Sequence, residues 1–536
     1  MLKFLKNPLV LILALAAFLR LFMLTSVPPS LNWDEVSMGY TAYSLSQTGM
    51  DEWGQRLPLL FRSYGEWKSA VYIYLLVPMV KFFGMNAWSV RLPSAIAGIL
   101  AVYLTYLIGK KIYSEKVGLW SAFFLAISPW HLLLSRPAFE ANVSLTLILA
   151  GLYLFLRFNL ESKVYLLISS AIALGLAPHT YNSAKVVVPI LALYLIWSTK
   201  LHKNLKQLVI FLGVLTLFAA PLFIDLFSGR SQFRYSQVGV STDIKGLNEF
   251  INYRKNPHLP PIVGKLLFNR YTYSLSRASY NGLSYFNPAF LLVEAGDHNQ
   301  HHVRNFGVLY VAEFIFVLSG LLTLFSKKSR LINFLPLVII GLGIIPAALT
   351  RDQGHVLRSL LTLPGWQLLA GLGIASLQPS KFKKCLLCLL IVQAFIFMLA
   401  YFIWYPQTFA RDWQYGHKEV AGYLRLHENE YDKIVMTKWY GEAQLFLAFY
   451  NKWDPLRYQQ DNIPNLRYES EGKIWLDQLP EYSLGKYTFK YLNWQAEDKS
   501  EKTLYIGKGD DFYIDSKIVK TINFPDGTPA FVLVEP

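Results

Sequence analysis

The feature that most constrains this chain is a series of about eleven apolar runs, each close to the roughly 18–20 residues that cross a bilayer as a helix. They cover residues 8–26, 90–109, 117–135, 142–158, 164–178, 184–198, 207–227, 306–326, 331–350, 356–377 and 385–404. In lipid, such segments must satisfy their backbone hydrogen bonds internally, which selects helices. Only 16% of the residues are charged and 53% are hydrophobic, whereas soluble domains carry about 25% charged residues. The net charge of +16 would suggest nucleic acid in a soluble protein. Here the basic residues concentrate in short loops instead. Lys3 and Lys6; Lys110, Lys111 and Lys116; Lys163; Lys200, Lys203 and Lys206; Lys327, Lys328 and Arg330; and Lys381, Lys383 and Lys384 all fall on one side of the alternation. That is the positive-inside pattern, and it accounts for the charge without a nucleic-acid partner.

The pattern predicts a multi-pass protein of the cell membrane with a cytoplasmic N-terminus and an extracytoplasmic C-terminal segment. It holds only if 68–84, interrupted by Pro78 and Lys81, is an amphipathic or re-entrant helix at the outer surface. The N-terminal run has a basic start but no small-residue cleavage site, so it reads as an uncleaved first span. Cys385 and Cys388 have C-x-x-C spacing inside an apolar run. A redox reading needs a soluble βα setting, so no disulfide is expected. From about 405 the apolar runs stop. Residues 416–450 read as helix, short strand, helix, and "YTFKYLNW", "TLYIGK" and "KTINFPDGTPAFVLVEP" read as strands, the last with a turn at "PDG". The expected organisation is a membrane domain over 1–404 and a C-terminal α/β domain over 405–536. The membrane domain would include a first outer loop with juxtamembrane helices (31–89) and a large outer loop (228–305).

Chemistry-bearing residues gather on the outer side. Asp34 and Glu35 sit in "LNWDEVSMGYTAYSLSQTG", directly after the first apolar run, where a charge is costly without a partner or a function. Two readings stand side by side. The acidic pair caps the helix that follows, or a carboxylate in a partly dry pocket serves as a general base. Other outer segments carry Lys68, Arg91, Arg136, Glu140, His179, Tyr181, Lys185, Arg351, Asp352, His355 and Arg358. The i, i+3 spacing of His355 and Arg358 predicts one face of a helix. Converging cations of this kind suit a phosphate, although each basic side chain taken singly also fits snorkelling at the interface. "RDWQYGHKEV" (411–420) lacks a Trp-Trp-Asp core and reads as the entry to a helix.

"WDEVSMGYTAYSLSQTG", "EWKSAVYIYLLVPMVKFFGMNAWSVRLPSAIAGILAVYLTYLIGKKIY" and "SPWHLLLSRPAFEANVS" resemble the polyprenyl-phosphate-sugar-dependent glycosyltransferases of the GT-C superfamily. More narrowly, they resemble its protein O-mannosyltransferase and aminoarabinose-transferase branch. The resemblance is strongest over 8–200 and extends to about 404. It implies a polytopic α-helical GT-C fold in which Asp34 is the catalytic base and Glu35 orients the loop or the acceptor. Lys68 matches a basic residue that contacts the lipid-linked phosphate. Trp67 stands where some relatives carry an acid, with Glu66 one residue earlier.

The implied reaction is transfer of a sugar, mannose or another hexose or pentose, from a polyprenyl-phosphate donor to a hydroxyl of a protein, glycolipid or glycan. It inverts the anomeric centre, with cations stabilising the departing phosphate. Lys68, His355 and Arg358 are the leading binding candidates, followed by Arg91, Arg136, Glu140, His179 and Tyr181. No cofactor is implied, and a divalent metal, though compatible, is not required by these motifs. The alternative is a transporter or flippase of a lipid-linked polar substrate, which would place charges at mid-membrane rather than at one face.

Overall fold

A computed structural model describes residues 7–63, 65–227, 235–326, 330–499, 502–513 and 516–536. Lys3, Lys6, Lys327 and Lys328 of the charge pattern, and the first residues of the 228–305 loop, lie outside the described residues. The chain forms two compact units that cut across its linear order. One takes the N-terminal helix through Arg20, Ala95–Ser135 and Phe139–Met398; the other takes Leu21–Ser94, Arg136–Ala138 and Leu399–Pro536.

The first unit is helical. Among the described residues, five helices are long and apolar enough to cross a membrane: Ala87–Ile112, Glu140–Glu161, Leu205–Leu222, Leu331–Ala348 and Lys381–Thr408. Pro8–Leu21, Val164–His179, Ala184–Ser198, Val311–Ser326 and Leu360–Ser376 are shorter apolar helices. The run at 117–135 is not one span. It breaks into Glu115–Ile127 and Pro129–Leu134, with the Ser128 hydroxyl accepting the His131 N–H at 3.3 Å. Pro129 is the physical cause, since proline cannot donate into a continuing helix but fits the first turn of a new one. Cys385 and Cys388 are unbonded and exposed on Lys381–Leu399.

Small residues set the closest helix contact in this unit. A Cβ on Gly320 would lie 2.0 Å from the Leu369 carbonyl oxygen, and one on Gly373 would lie 1.9 Å from that of Phe316. The helices Val311–Ser326 and Gly365–Ser376 can therefore approach only because neither position carries a side chain.

The second unit joins the segment after the first apolar run to the C-terminal domain. Trp33–Thr48 is a helix, followed by a hairpin of β1 (Leu60–Ser63) and β2 (Glu66–Ser69) and a helix Ala70–Phe83. At 14 residues and 1.5 Å per residue, that last helix is about 21 Å long and falls short of the bilayer core. The C-terminal strands are β3 (Lys433–Thr437), β4 (Glu481–Leu484), β5 (Tyr487–Lys490), β6 (Thr503–Gly507), β7 (Lys517–Asn523) and β8 (Pro529–Glu535). They form one mixed sheet in the order β4-β5-β3-β6-β8-β7, with β3 parallel to β5 and β6. The turn at "PDG" joins antiparallel β7 and β8, with Gly527 at φ +86°.

Helix Ala443–Asn451 of this domain packs on helix Trp33–Thr48. Gly39 makes room for it, since a Cβ there would meet the Phe449 ring at 2.5 Å. Tyr40 donates to the Trp453 carbonyl at 3.2 Å, and Gln459 donates to that of Asp51 at 2.8 Å.

Overpacking a glycine contact of this kind costs roughly 1–3 kcal/mol. Gly373→Ala should lower the thermal midpoint in detergent accordingly, while Gly341→Ala, with nothing within 4 Å of the added methyl, should not. Paired melts of the two variants check this.

Candidate active site

The site is built from the start of helix Trp33–Thr48. Asn32 caps it: its side chain accepts the Glu35 N–H at 2.9 Å, and the Glu35 carboxylate accepts the Asn32 N–H at 3.1 Å. This reciprocal pair is a capping box. The capping reading of the acidic pair thus applies to Glu35, and Asp34 takes no part in the box.

Glu35 is also the partner of Arg91. Its Oε1 and Oε2 accept Arg91 Nε at 2.8 Å and Nη2 at 2.9 Å, and Oε1 also accepts the Ala138 N–H at 3.0 Å. The remaining Arg91 donors go to the carbonyls of Leu24, Pro28 and Ser30. All five guanidinium N–H groups therefore have acceptors. The side chains are 1% and 0% exposed, so the pair is a sealed, bidentate contact. Arg136 is equally embedded, donating to the carbonyls of Phe22 and Val27 and lying 4.9 Å over the Phe402 ring.

Asp34 has a different setting. Its Oδ1 lies 2.7 Å from Lys68 Nζ, with side chains 31% and 5% exposed respectively. Lys68 sits on β2 opposite Phe61, and Glu66, two residues earlier on the same strand face, comes within 3.8 Å of its ammonium. Trp67 pairs with Arg62 across the hairpin. The result is a buried cation presented to a partly exposed carboxylate. The segment 411–420 also contributes: the Gln414 side chain accepts the Trp33 N–H at 2.8 Å and donates to the Tyr440 carbonyl at 2.5 Å. Helix His417–His427 begins just after it.

Behind Asp34 lies an acidic group that the motif reading missed. Glu52 accepts the Thr41 hydroxyl at 2.6 Å. Burial first, and the neighbouring Asp51 second, push its carboxyl up to about 8. Glu442 holds Gln444 at 2.7 Å, and burial, then Asp477, drives it well above the carboxylate range. Asp477 in turn accepts the Tyr482 hydroxyl at 2.6 Å. "MDEWG" and "WYGEAQ" were the only local signals, and neither shows that the two segments meet.

The other predicted residues belong to the helical unit. His355 is buried. Its N–H donates to the Tyr285 hydroxyl at 3.0 Å, and its Nδ1 accepts the Arg358 N–H at 3.3 Å. No helix forms over 355–358, contrary to the i, i+3 expectation. The segment is a turn that follows Gly354 at φ +59°, with the regular helix starting only at Gly365. The Arg358 side chain bridges Thr350 at 3.0 Å and Asp352 at 2.6 Å. Burial, then the Arg358 charge, lowers the His355 imidazole, and burial, then His298, pushes His301 down to about 3. Both rings are therefore neutral at physiological pH. Arg351 is tied to Gly239 and Thr242. His179 donates through Nε2 to the Phe218 carbonyl at 2.7 Å. Glu140 opens its helix, and Tyr181 lies close enough to Tyr285 to influence its charge.

Residues 68–224 match the family described as dolichyl-phosphate-mannose-protein mannosyltransferase. YycA and YkcB of Bacillus subtilis (strain 168), whose mannosyltransferase names are themselves provisional, are 26% and 27% identical over 152 and 150 residues. Those stretches are 28% and 27% of this chain but span only 22% and 21% of the two relatives. The structure of ArnT from Cupriavidus metallidurans bound to undecaprenyl phosphate superimposes with a TM-score of 0.52, covering 98% of this chain and 97% of that one. The fold is that of ArnT. At 12% identity to ArnT, what this chain shares with it is the architecture.

Two expectations follow from this arrangement. Removing one member of a buried ion pair costs about 3–5 kcal/mol, so Glu35→Ala should destabilise the protein by that amount. Asp34→Asn, at a partly exposed pair, should cost about 1 kcal/mol or less; thermal melts distinguish the two. For Glu52, the folded chain retains between about 4.5 and about 8 a proton that the unfolded chain has released. Stability attributable to this group therefore falls as pH rises through that window. Glu52→Gln should gain on the wild type between pH 5 and pH 8, as midpoints measured at both values would show.

Proposed function

We propose that this chain is a membrane glycosyltransferase that moves a sugar from a polyprenyl phosphate to an acceptor hydroxyl on the outer membrane face. The observation that carries the reading is the Asp34–Lys68 pair at 2.7 Å, set at the mouth of a helix whose adjacent acid is fully committed to Arg91. The family match over 68–224 and the GT-C fold support it. ArnT is described as bound to undecaprenyl phosphate, and a lipid-linked donor of that class is proposed for this chain.

In this mechanism Asp34 accepts the proton of the acceptor hydroxyl. The acceptor oxygen bonds to C1 of the sugar from the face opposite the phosphate, the C1–O bond to the phosphate breaks, and the configuration inverts. The lipid phosphate leaves with the bonding electrons. As Asp34 is neutralised by the proton, the Lys68 ammonium loses the nearer of its two carboxylate partners, and its charge becomes more available to the departing phosphate. Glu35 and Arg91 act as positioning residues, since no hydrogen-bonding capacity of the guanidinium is left for substrate. A metal at the reacting atoms is not required by this mechanism. The sugar is proposed to be mannose or another hexose or pentose, and the acceptor a protein, glycolipid or glycan hydroxyl.

The test is release of lipid phosphate from a panel of radiolabelled polyprenyl-phosphate sugars by purified protein in nanodiscs. General-base removal typically costs about 10²–10⁴-fold, so Asp34→Asn should lose that much with its thermal midpoint kept. Retained release, or loss only in step with unfolding, would overturn the assignment.

A further inference from the structure

The helical unit holds a cluster of metal-ligating side chains that the proposed reaction does not use. A cavity of about 260 Å³ is lined by His298, His301, Asp352 and His355 among others. The three imidazole rings form a near-equilateral set, with centroids 5.0 Å apart for His298–His355, 5.1 Å for His301–His355 and 5.4 Å for His298–His301. One ligand atom from each of His298, Asp352 and His355 lies within 4.8 Å of the others. His301 Nδ1 is buried with no hydrogen-bond partner among the described residues, a polar atom left unsatisfied at a cost that a ligand would remove.

We infer that His298, His355 and Asp352 form a binding site for a transition-metal dication of the zinc type, with His301 available as a fourth ligand. Imidazole and carboxylate together suit such ions rather than magnesium or calcium, which take oxygen donors. Four ligands match the usual zinc number, and bond lengths of about 2.0–2.2 Å require His298 and Asp352 to draw inward. Both are exposed and so have room to move, while His355 is anchored by Tyr285 and by the Arg358 backbone. Asp352 can bind through Oδ1 while its Oδ2 keeps Arg358. The positive charge of Arg358 and Arg351 opposes a bare cation, and Asp352 and Asp297 in the same lining offset it. His298 and His301 lie on one segment, and Asp352 and His355 on another some fifty residues away. The ion would therefore clasp the end of the large outer loop to the turn that carries Arg358. This is a positioning role, separate from the transfer step.

The experiment uses the full-length protein in detergent, stripped with a chelator, desalted and titrated with zinc chloride by calorimetry. One saturable equivalent is expected for the wild type. His298→Ala should abolish it and His301→Ala should weaken it by about tenfold or more, the order of loss seen when support around a metal site is removed. Hydrogen exchange provides a second readout: zinc should protect 295–302 and 350–358 in the wild type and not in His298→Ala. No saturable binding, equal binding by wild type and His298→Ala, or binding that leaves both segments unprotected would each overturn the site. None of these readouts depends on a donor sugar, so the metal site and the transferase reading fail independently.

Discussion

The Glu35–Arg91 contact holds together the part of the molecule from which the chemistry would be run. Withdrawing two charges from water costs several kcal/mol per ion, and such a pair persists only when its geometry is complete. Here it is: the guanidinium spends two N–H groups on the carboxylate and three on the carbonyls of Leu24, Pro28 and Ser30. Those carbonyls belong to a stretch without helix or strand partners, where buried backbone groups otherwise go unsatisfied. Arg136 serves the same stretch through Phe22 and Val27. Two buried arginines thus fix the approach to Asn32, the cap, and through it the direction in which Asp34 leaves the helix.

Three carboxylates within one short segment show how environment divides labour among like residues. Glu35 is enclosed and consumed by partners. Glu52 is enclosed beside Asp51, accepts the Thr41 hydroxyl, and holds its proton toward neutrality. Asp34 alone is partly open to water and paired with a cation. The division is made by burial and by partners, and not by residue type.

Local features were legible in the chain. The apolar runs recur as helices, the non-spanning stretch at 68–84 ends in a 14-residue helix with Pro78 inside, and the final strands pair across the expected Gly527 turn. Each rests on periodicity or on one punctuating residue. The break at Ser128–Pro129 was equally local, yet the apolar run concealed it. The turn at His355–Arg358 was misread because i, i+3 spacing is shared by helices and by single turns. Gln414, Glu442 and Asp477 escaped notice because no nearby residue marks them.

What the chain determined by itself is therefore the set of helices and strands and the presence of an acidic pair beside an apolar run, since these depend on neighbours within a few positions. Tertiary structure alone decided which acid of that pair stays partly open to water. Glu35 is sealed by Arg91, 56 positions along the chain, and Trp33 is seated by Gln414, 381 positions along. Asp34 and Glu35 are adjacent and chemically alike. Their difference comes from desolvation and from partners brought together by packing, which no local pattern encodes.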